Sequence, residues 1–116
     1  MRSKTLKALL TLIIMVLICT PVFAHPAEKV ELEWDQTASA LHVSIVHPVG
    51  NTSTHYISRI VVSVNGKVTE DVKLKSQSDP KVFRETFVIK DAPKGAKIEV
   101  ETTCNVYGKR KNSITI

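Results

Sequence analysis

The sequence predicts an all-β domain, an immunoglobulin-like antiparallel β-sandwich of about seven strands. Apolar and polar residues alternate along most of the chain after residue 24, which is the pattern of strands with one buried face. Turn-forming residues separate the alternating stretches at short intervals, and the apolar period of an amphipathic helix is absent there. Short strands with turns between them are typical of two sheets packed face to face.

The first strand is predicted at residues 30–34, where Val, Leu and Trp alternate with two glutamates. The second is predicted at 41–45, and its alternation carries His47 onto the buried face as the strand ends at Pro48. His42 falls on the opposite face of the same strand. We therefore expect His42 to be a surface histidine and His47 to point inward.

The middle of the chain predicts a hairpin. Residues 56–64 are rich in β-branched side chains, and Asn65-Gly66 is a dipeptide that strongly favours a two-residue hairpin turn into a strand at 67–75. The remaining strands are predicted at 82–89, 98–102 and 112–116. These three complete the count of seven.

Residues 1–24 have the pattern of an export signal peptide, here called the leader. Three basic residues precede a largely apolar run at 8–19, and Val22-Phe23-Ala24 has the small residues of a cleavage site. The run is shorter than the roughly 20 residues of a transmembrane helix. We expect cleavage after Ala24, a periplasmic or secreted location, no membrane attachment afterwards, and one domain at 25–116.

Removal of the leader changes the charge and the cysteine count. The formal charge of +5 falls to +2, with 13 basic and 11 acidic side chains in 25–116, which removes the support for nucleic-acid binding. Cys19 lies in the leader, so Cys104 is left without a partner for a disulfide or for a four-cysteine metal site. A Gly-rich phosphate loop and a Gly-x-Ser-x-Gly nucleophile motif are also absent, which argues against a kinase or a hydrolase.

A metal site is the chemistry that the remaining side chains suggest. His47 and His55 flank a short loop, and strand alternation places Cys104 on a buried face at the end of a later strand. Imidazole and thiolate together suit iron, copper or zinc. The alternative is that Cys104 is an ordinary core residue and the histidines are loop residues, although a lone thiol in an oxidising compartment is more stable when it is coordinated.

The motifs His47-Pro48, His55-Tyr56-Ile57 and Cys104-Asn105-x-x-Gly108 resemble those of the superoxide reductase family, the iron domain of desulfoferrodoxin and neelaredoxin. The resemblance implies an immunoglobulin-like fold and a mononuclear, non-haem iron that reduces superoxide to hydrogen peroxide. It also implies an external protein as electron donor. Carried over by motif, the metal ligands are His47, His55 and the axial Cys104, and His25 of His25-Pro26 matches an early histidine ligand of the family.

The chain departs from the family where a fourth histidine is expected. Tyr107 stands at that position. Either His42 or the α-amine that cleavage after Ala24 would free on His25 replaces the imidazole, or the ligand set is smaller. Tyr107 itself could bind ferric iron as a phenolate or simply pack. The basic residues at 109–111 could steer an anion to the metal or form a solvated basic turn.

Two other functions remain open at this point. One is a non-catalytic periplasmic module for metal binding or electron transfer, in which copper is a less favoured cofactor than iron. The other is a docking β-sandwich like the carrier-binding subunits of sulfur oxidation, in which Cys104 has no role. The sequence gives no prediction of the oligomeric state.

Overall fold

The structure, a computed structural model, describes residues 25–116, and the predicted leader lies outside the described residues. The described part contains seven strands and no helix, so none of its segments is a helix suited to crossing a membrane. The strands are β1 (Lys29–Asp35), β2 (Ala40–Val46), β3 (Ile57–Val64), β4 (Lys67–Lys73), β5 (Val82–Val88), β6 (Lys97–Cys104) and β7 (Lys109–Thr115).

The strands form two antiparallel sheets. One sheet has three strands in the order β1-β2-β5, and the other has four in the order β4-β3-β6-β7. The buried faces of both sheets contribute to one apolar cluster. The predicted seven-stranded antiparallel sandwich is therefore confirmed.

The core follows from the alternation in the strands. In β2, the side chains of Leu41, Val43 and Ile45 are at most 1% exposed, while His42 between them is exposed. Full burial of such a side chain contributes about 1.5–3 kcal/mol, which fixes which face of each strand points inward. The fully buried apolar side chains are Ala27, Leu41, Ile45, Ile57, Ile60, Val62, Ile98 and Val100.

The predicted hairpin between β3 and β4 is confirmed. Asn65 and Gly66 have φ values of 49° and 83°, as a two-residue turn with both central residues in the left-handed region requires. A bulge in the pairing of β3 with β4 lies between Val62 and Ser63, two residues before the Asn65-Gly66 turn.

The last strand begins earlier than predicted, at Lys109 and not at residue 112. Its first residues are basic and exposed, so they carry no apolar alternation from which a strand could be recognised. Their strand conformation comes instead from pairing with β6, in which Lys109 lies opposite Thr103 and Lys111 opposite Glu101.

Candidate metal centre

Three histidines from different parts of the chain meet at one end of the sandwich. His25 lies ahead of β1, His47 directly follows β2, and His55 lies two residues before β3. One ligand nitrogen from each ring lies within 4.8 Å of the other two. The ring centroids are 4.9–5.4 Å apart and the rings meet at 62–88°, so their edges converge and their faces do not stack. The three are called the histidine cluster below.

His47 is held at the end of β2 by the strand that precedes it and by the loop before β5. Its side chain is fully buried, as the alternation in β2 predicts. Its backbone N–H donates to Lys81 O at 2.9 Å, and Val49 N–H donates to Pro80 O at 2.8 Å. These bonds continue the β2–β5 pairing past the end of the strand, so they tie the His47 backbone to the segment before β5.

His55 is positioned by a tight turn and by Asn105. The His55 N–H donates to Asn51 O at 2.9 Å, which closes the turn. The Asn105 amide then bridges the residues on either side: its Nδ2 donates to Thr54 O at 2.9 Å, and its Oδ1 accepts from Tyr56 N–H at 2.8 Å. The asparagine after Cys104 therefore clamps the segment that carries His55.

His25 belongs to a short arm that lies across the turn between β6 and β7. Pro26 packs on Gly108, and a Cβ atom at residue 108 would stand 3.0 Å from Pro26 Cδ. Gly108 also has a φ of 86°, which side chains other than glycine rarely adopt. Arg110 Nε donates to Ala27 O at 2.9 Å, and Glu28 N–H donates to Val46 O at 2.7 Å. Together these contacts bring His25 to the cluster.

Short contacts at Nδ1 of His25 and His47 favour Nε2 as the nitrogen with the lone pair. His25 Nδ1 lies 2.9 Å from Pro26 O, and His47 Nδ1 lies 2.8 Å from Gln77 Oε1. Both partners are oxygen acceptors, so each contact favours a hydrogen on Nδ1 and a lone pair on Nε2. His47 Nε2 also lies 3.1 Å from His25 O, a longer contact with a second acceptor. His55 Nε2 is buried without any hydrogen-bond partner. A buried polar atom without a partner is costly unless a ligand satisfies it, and an unprotonated imidazole is the form that binds metal.

The electrostatics of the cluster also favour a neutral ring at His55. The pKa of His55 lies below its ordinary value of 6.5, first because burial disfavours the charged ring and then because His47 and His25 repel a second positive charge. A neutral imidazole at that position is available as a ligand without first losing a proton.

Cys104 is buried and is not one of the converging ligand atoms of the cluster. Its side chain is 4% exposed and belongs to the apolar core, as predicted, and its backbone pairs with Ile57 of β3. Among residues 25–116, only the three imidazoles form a group of potential metal ligands that lie close to one another. The structure thus brings together three of the four predicted ligands and places the fourth, Cys104, in the apolar core.

Two side chains suggested in place of a fourth imidazole, Tyr107 and His42, are exposed. Tyr107 is 67% exposed and does not pack in the core. His42 lies on the outer face of the three-stranded sheet, where its Nδ1 is 3.0 Å from Thr86 Oγ1.

The basic residues after the cysteine motif face an acidic partner. Lys109 and Lys111 lie 3.5 and 3.4 Å from Glu101, so the charge of these lysines is partly neutralised by the neighbouring strand.

Gln77 is a site residue that sequence reasoning missed. It lies in the loop between β4 and β5, is 4% exposed, and bonds to His47. A single glutamine between two serines in a polar loop carries no pattern from which a buried role could be read. Only the three-dimensional arrangement identifies it.

The sequence matches no protein-family model and no curated protein sequence. Solved structures do match. A hypothetical protein from Pyrococcus horikoshii is 18% identical, with a TM-score of 0.53 over 83% of this chain and 92% of that one. A superoxide reductase in the oxidised state is 17% identical, with a TM-score of 0.52 over 84% of this chain and 94% of that one. At such identities these likenesses establish a shared fold.

Proposed function

We propose that this protein is an exported, iron-binding protein of the superoxide reductase type. Its substrate is superoxide, and its metal ligands are His25, His47, His55 and Cys104. The observation that carries the proposal is the histidine cluster, in which a buried His55 Nε2 has no partner in a fold shared with a superoxide reductase. The motif resemblance, Cys104-Asn105-x-x-Gly108 above all, adds support independent of the shared fold.

The donor set fits an iron ion. Neutral imidazoles and one thiolate are ligands that first-row transition metals prefer over the oxygen ligands of magnesium or calcium. When bound, iron supplies the single electron that converts superoxide, with two protons, to hydrogen peroxide, and an external electron-donor protein restores it. Cys104 contributes a thiolate from the apolar core, where low polarity strengthens its interaction with a cation.

The parts of the chain around the ligands have supporting roles in this proposal. Asn105 holds the His55 segment, and Gly108 admits the arm that carries His25. The predicted leader, with cleavage after Ala24, delivers the domain to the periplasm or the medium, where superoxide is met as a diffusing small anion. Membrane and nucleic-acid partners have no part in the proposal.

Anaerobic reconstitution tests this function. The chain 25–116 is loaded with Fe²⁺, its iron content is measured, and its reaction with a pulse of superoxide is followed by visible absorption. We expect one iron per chain and stoichiometric hydrogen peroxide without dioxygen. His47→Ala should lose the iron, while His42→Ala, a change at an exposed histidine outside the cluster, should keep it. Failure to bind iron, or a ferrous form inert to superoxide, contradicts the proposal.

A second candidate is a metal-binding or electron-transfer module without turnover. It is favoured by the observation that three nitrogens converge while the Cys104 sulfur is not among the converging atoms. Three imidazoles also suit copper or zinc. Competitive loading with Fe²⁺, Cu²⁺ and Zn²⁺ separates the two: preference for copper or zinc, with no superoxide reaction in the iron form, supports the module.

A further inference from the structure

Gln77 makes four hydrogen bonds from a buried side chain. Its Oε1 lies 2.8 Å from His47 Nδ1 and 3.2 Å from the N of Ile57. Its Nε2 lies 2.8 Å from His47 O and 2.9 Å from Asp79 O. The amide is therefore fully satisfied, and two of its four bonds are to a single histidine.

The orientation of this amide is determined by its backbone partners. Two carbonyl oxygens can only accept, so the atom facing them is the NH₂ group. The Ile57 N–H can only donate, so the atom facing it is the carbonyl oxygen. A flipped amide would oppose all three groups. Because Oε1 cannot donate, His47 Nδ1 is the donor when this 2.8 Å hydrogen bond forms.

We propose that Gln77 is a positioning residue for the metal centre, which holds His47 as the Nδ1–H tautomer and directs its Nε2 lone pair at the ion. This inference rests on the proposed metal site. A hydrogen-bond acceptor on the far nitrogen of a metal-binding imidazole fixes the ring and increases its basicity, and loss of such a partner typically reduces metal affinity about 10–100-fold.

Gln77 also couples His47 to the segment that carries His55. Ile57 is two residues beyond His55, and its N–H is bound by the same Oε1 that accepts from His47. The backbone N–H of Gln77 donates to Thr52 O at 3.1 Å, within the loop between the two histidines. A shift of Gln77 would therefore move both imidazoles relative to each other.

A second oxygen acceptor competes with Gln77 for the hydrogen of His47. His47 Nε2 lies 3.1 Å from the carbonyl oxygen of His25. A neutral imidazole has one N–H, so it donates either to Gln77 Oε1 or to His25 O but not to both. The contact with Gln77 is the shorter one, at 2.8 Å, and it favours the Nδ1–H tautomer. Gln77 thus opposes the tautomer in which Nε2 carries the hydrogen and has no lone pair for an ion.

Two variants that lose the same pair of hydrogen-bond donors test the role of Gln77. Gln77→Met and Gln77→Glu both remove the two N–H donors to His47 O and Asp79 O, so both should lose stability. Only Gln77→Glu retains an oxygen acceptor for His47 Nδ1. The tautomer of His47 is read from ¹⁵N chemical shifts of the ring in the metal-free chain 25–116, and affinity is measured by Co²⁺ titration followed by visible absorption.

We expect the unchanged protein and Gln77→Glu to hold His47 as the Nδ1–H tautomer. Gln77→Met should show a mixture of tautomers and a Co²⁺ affinity lower by about 10–100-fold than that of Gln77→Glu. Val100→Ala, a destabilising core change in β6, should alter neither readout. If Gln77→Met keeps both the tautomer and the affinity, the proposal is wrong.

The two proposals fail in different ways. If the unchanged protein does not bind Co²⁺ or iron while the tautomer still depends on Gln77, the metal site is refuted and the orienting role of Gln77 is upheld. If the protein binds metal and His47 keeps its tautomer in Gln77→Met, the positioning role is refuted and the metal site is upheld.

Discussion

Pro26 lies directly against Gly108, so close that a Cβ atom at residue 108 would be 3.0–3.3 Å from three of its ring carbons. This contact joins the arm that carries His25 to the turn that follows Cys104. It gives a physical reason for glycine in the Cys104-Asn105-x-x-Gly108 motif, since a side chain there would push His25 away from His47 and His55.

Gly108→Ala should therefore reduce both stability and metal affinity. Gly95→Ala is the matched control, because Gly95 has nearly the same φ, 85° against 86°, but no atom within 4 Å of an added Cβ. We expect each alanine to lose about 1–2 kcal/mol from backbone strain. Gly108→Ala should lose more in denaturant unfolding and bind Co²⁺ about tenfold more weakly. Equal effects of the two changes on affinity would argue against the arm contact.

His55→Leu should stabilise the metal-free protein while it abolishes metal binding. The buried His55 Nε2 has no partner, and an unsatisfied polar group of this kind costs about 1–3 kcal/mol. Replacing the ring with an apolar side chain should raise the free energy of unfolding by about 1 kcal/mol. His42→Leu, at an exposed histidine, should change it by less than about 0.5 kcal/mol. A less stable His55→Leu protein would show that the ring is already satisfied without a metal.

The loss of folding stability in acid should depend in part on Asp79. The Lys81 and Val82 N–H groups bond to its carboxylate and hold the pKa of Asp79 below its ordinary value of 3.8. The folded state binds the proton less well than the unfolded state, so the stability from Asp79 is present above the unfolded pKa. It is lost as the pH falls through the lower folded pKa.

Asp79→Asn keeps an oxygen that accepts from both N–H groups but does not titrate. Its free energy of unfolding should therefore decline less steeply with acid than that of the unchanged protein, measured from about pH 5 to pH 2. Parallel curves for the two proteins would mean that Asp79 titrates alike in the folded and unfolded states.

Cys104→Ser tests whether the thiolate binds the metal. If Cys104 is a ligand of ferric iron, the visible sulfur-to-iron absorption band should disappear, while the three imidazoles retain the ion with lower affinity. Val100→Ala, at another buried position of the same strand, should keep the band. Absence of such a band from the unchanged protein, or an absorption spectrum unaltered in Cys104→Ser, would confine the ligand set to the histidine cluster.

Much of the fold can be predicted from the sequence because its information is local. Alternation along β2 shows that His47 points inward and His42 outward, and Asn65-Gly66 specifies the hairpin, since each depends on neighbours within a few residues. The start of β7 could not be predicted in this way, because Lys109 and Lys111 are in a strand only through pairing with β6.

The sequence by itself determined the strand pattern, the one cysteine of residues 25–116 and, through motif resemblance, the histidines to be tested as ligands. Only the tertiary structure decided which of them meet. His25, His47 and His55 converge because a proline packs on a glycine 82 residues away and a loop glutamine reaches the end of β2. Such contacts are set by the packing of two sheets and three loops, and no local pattern in the chain encodes them.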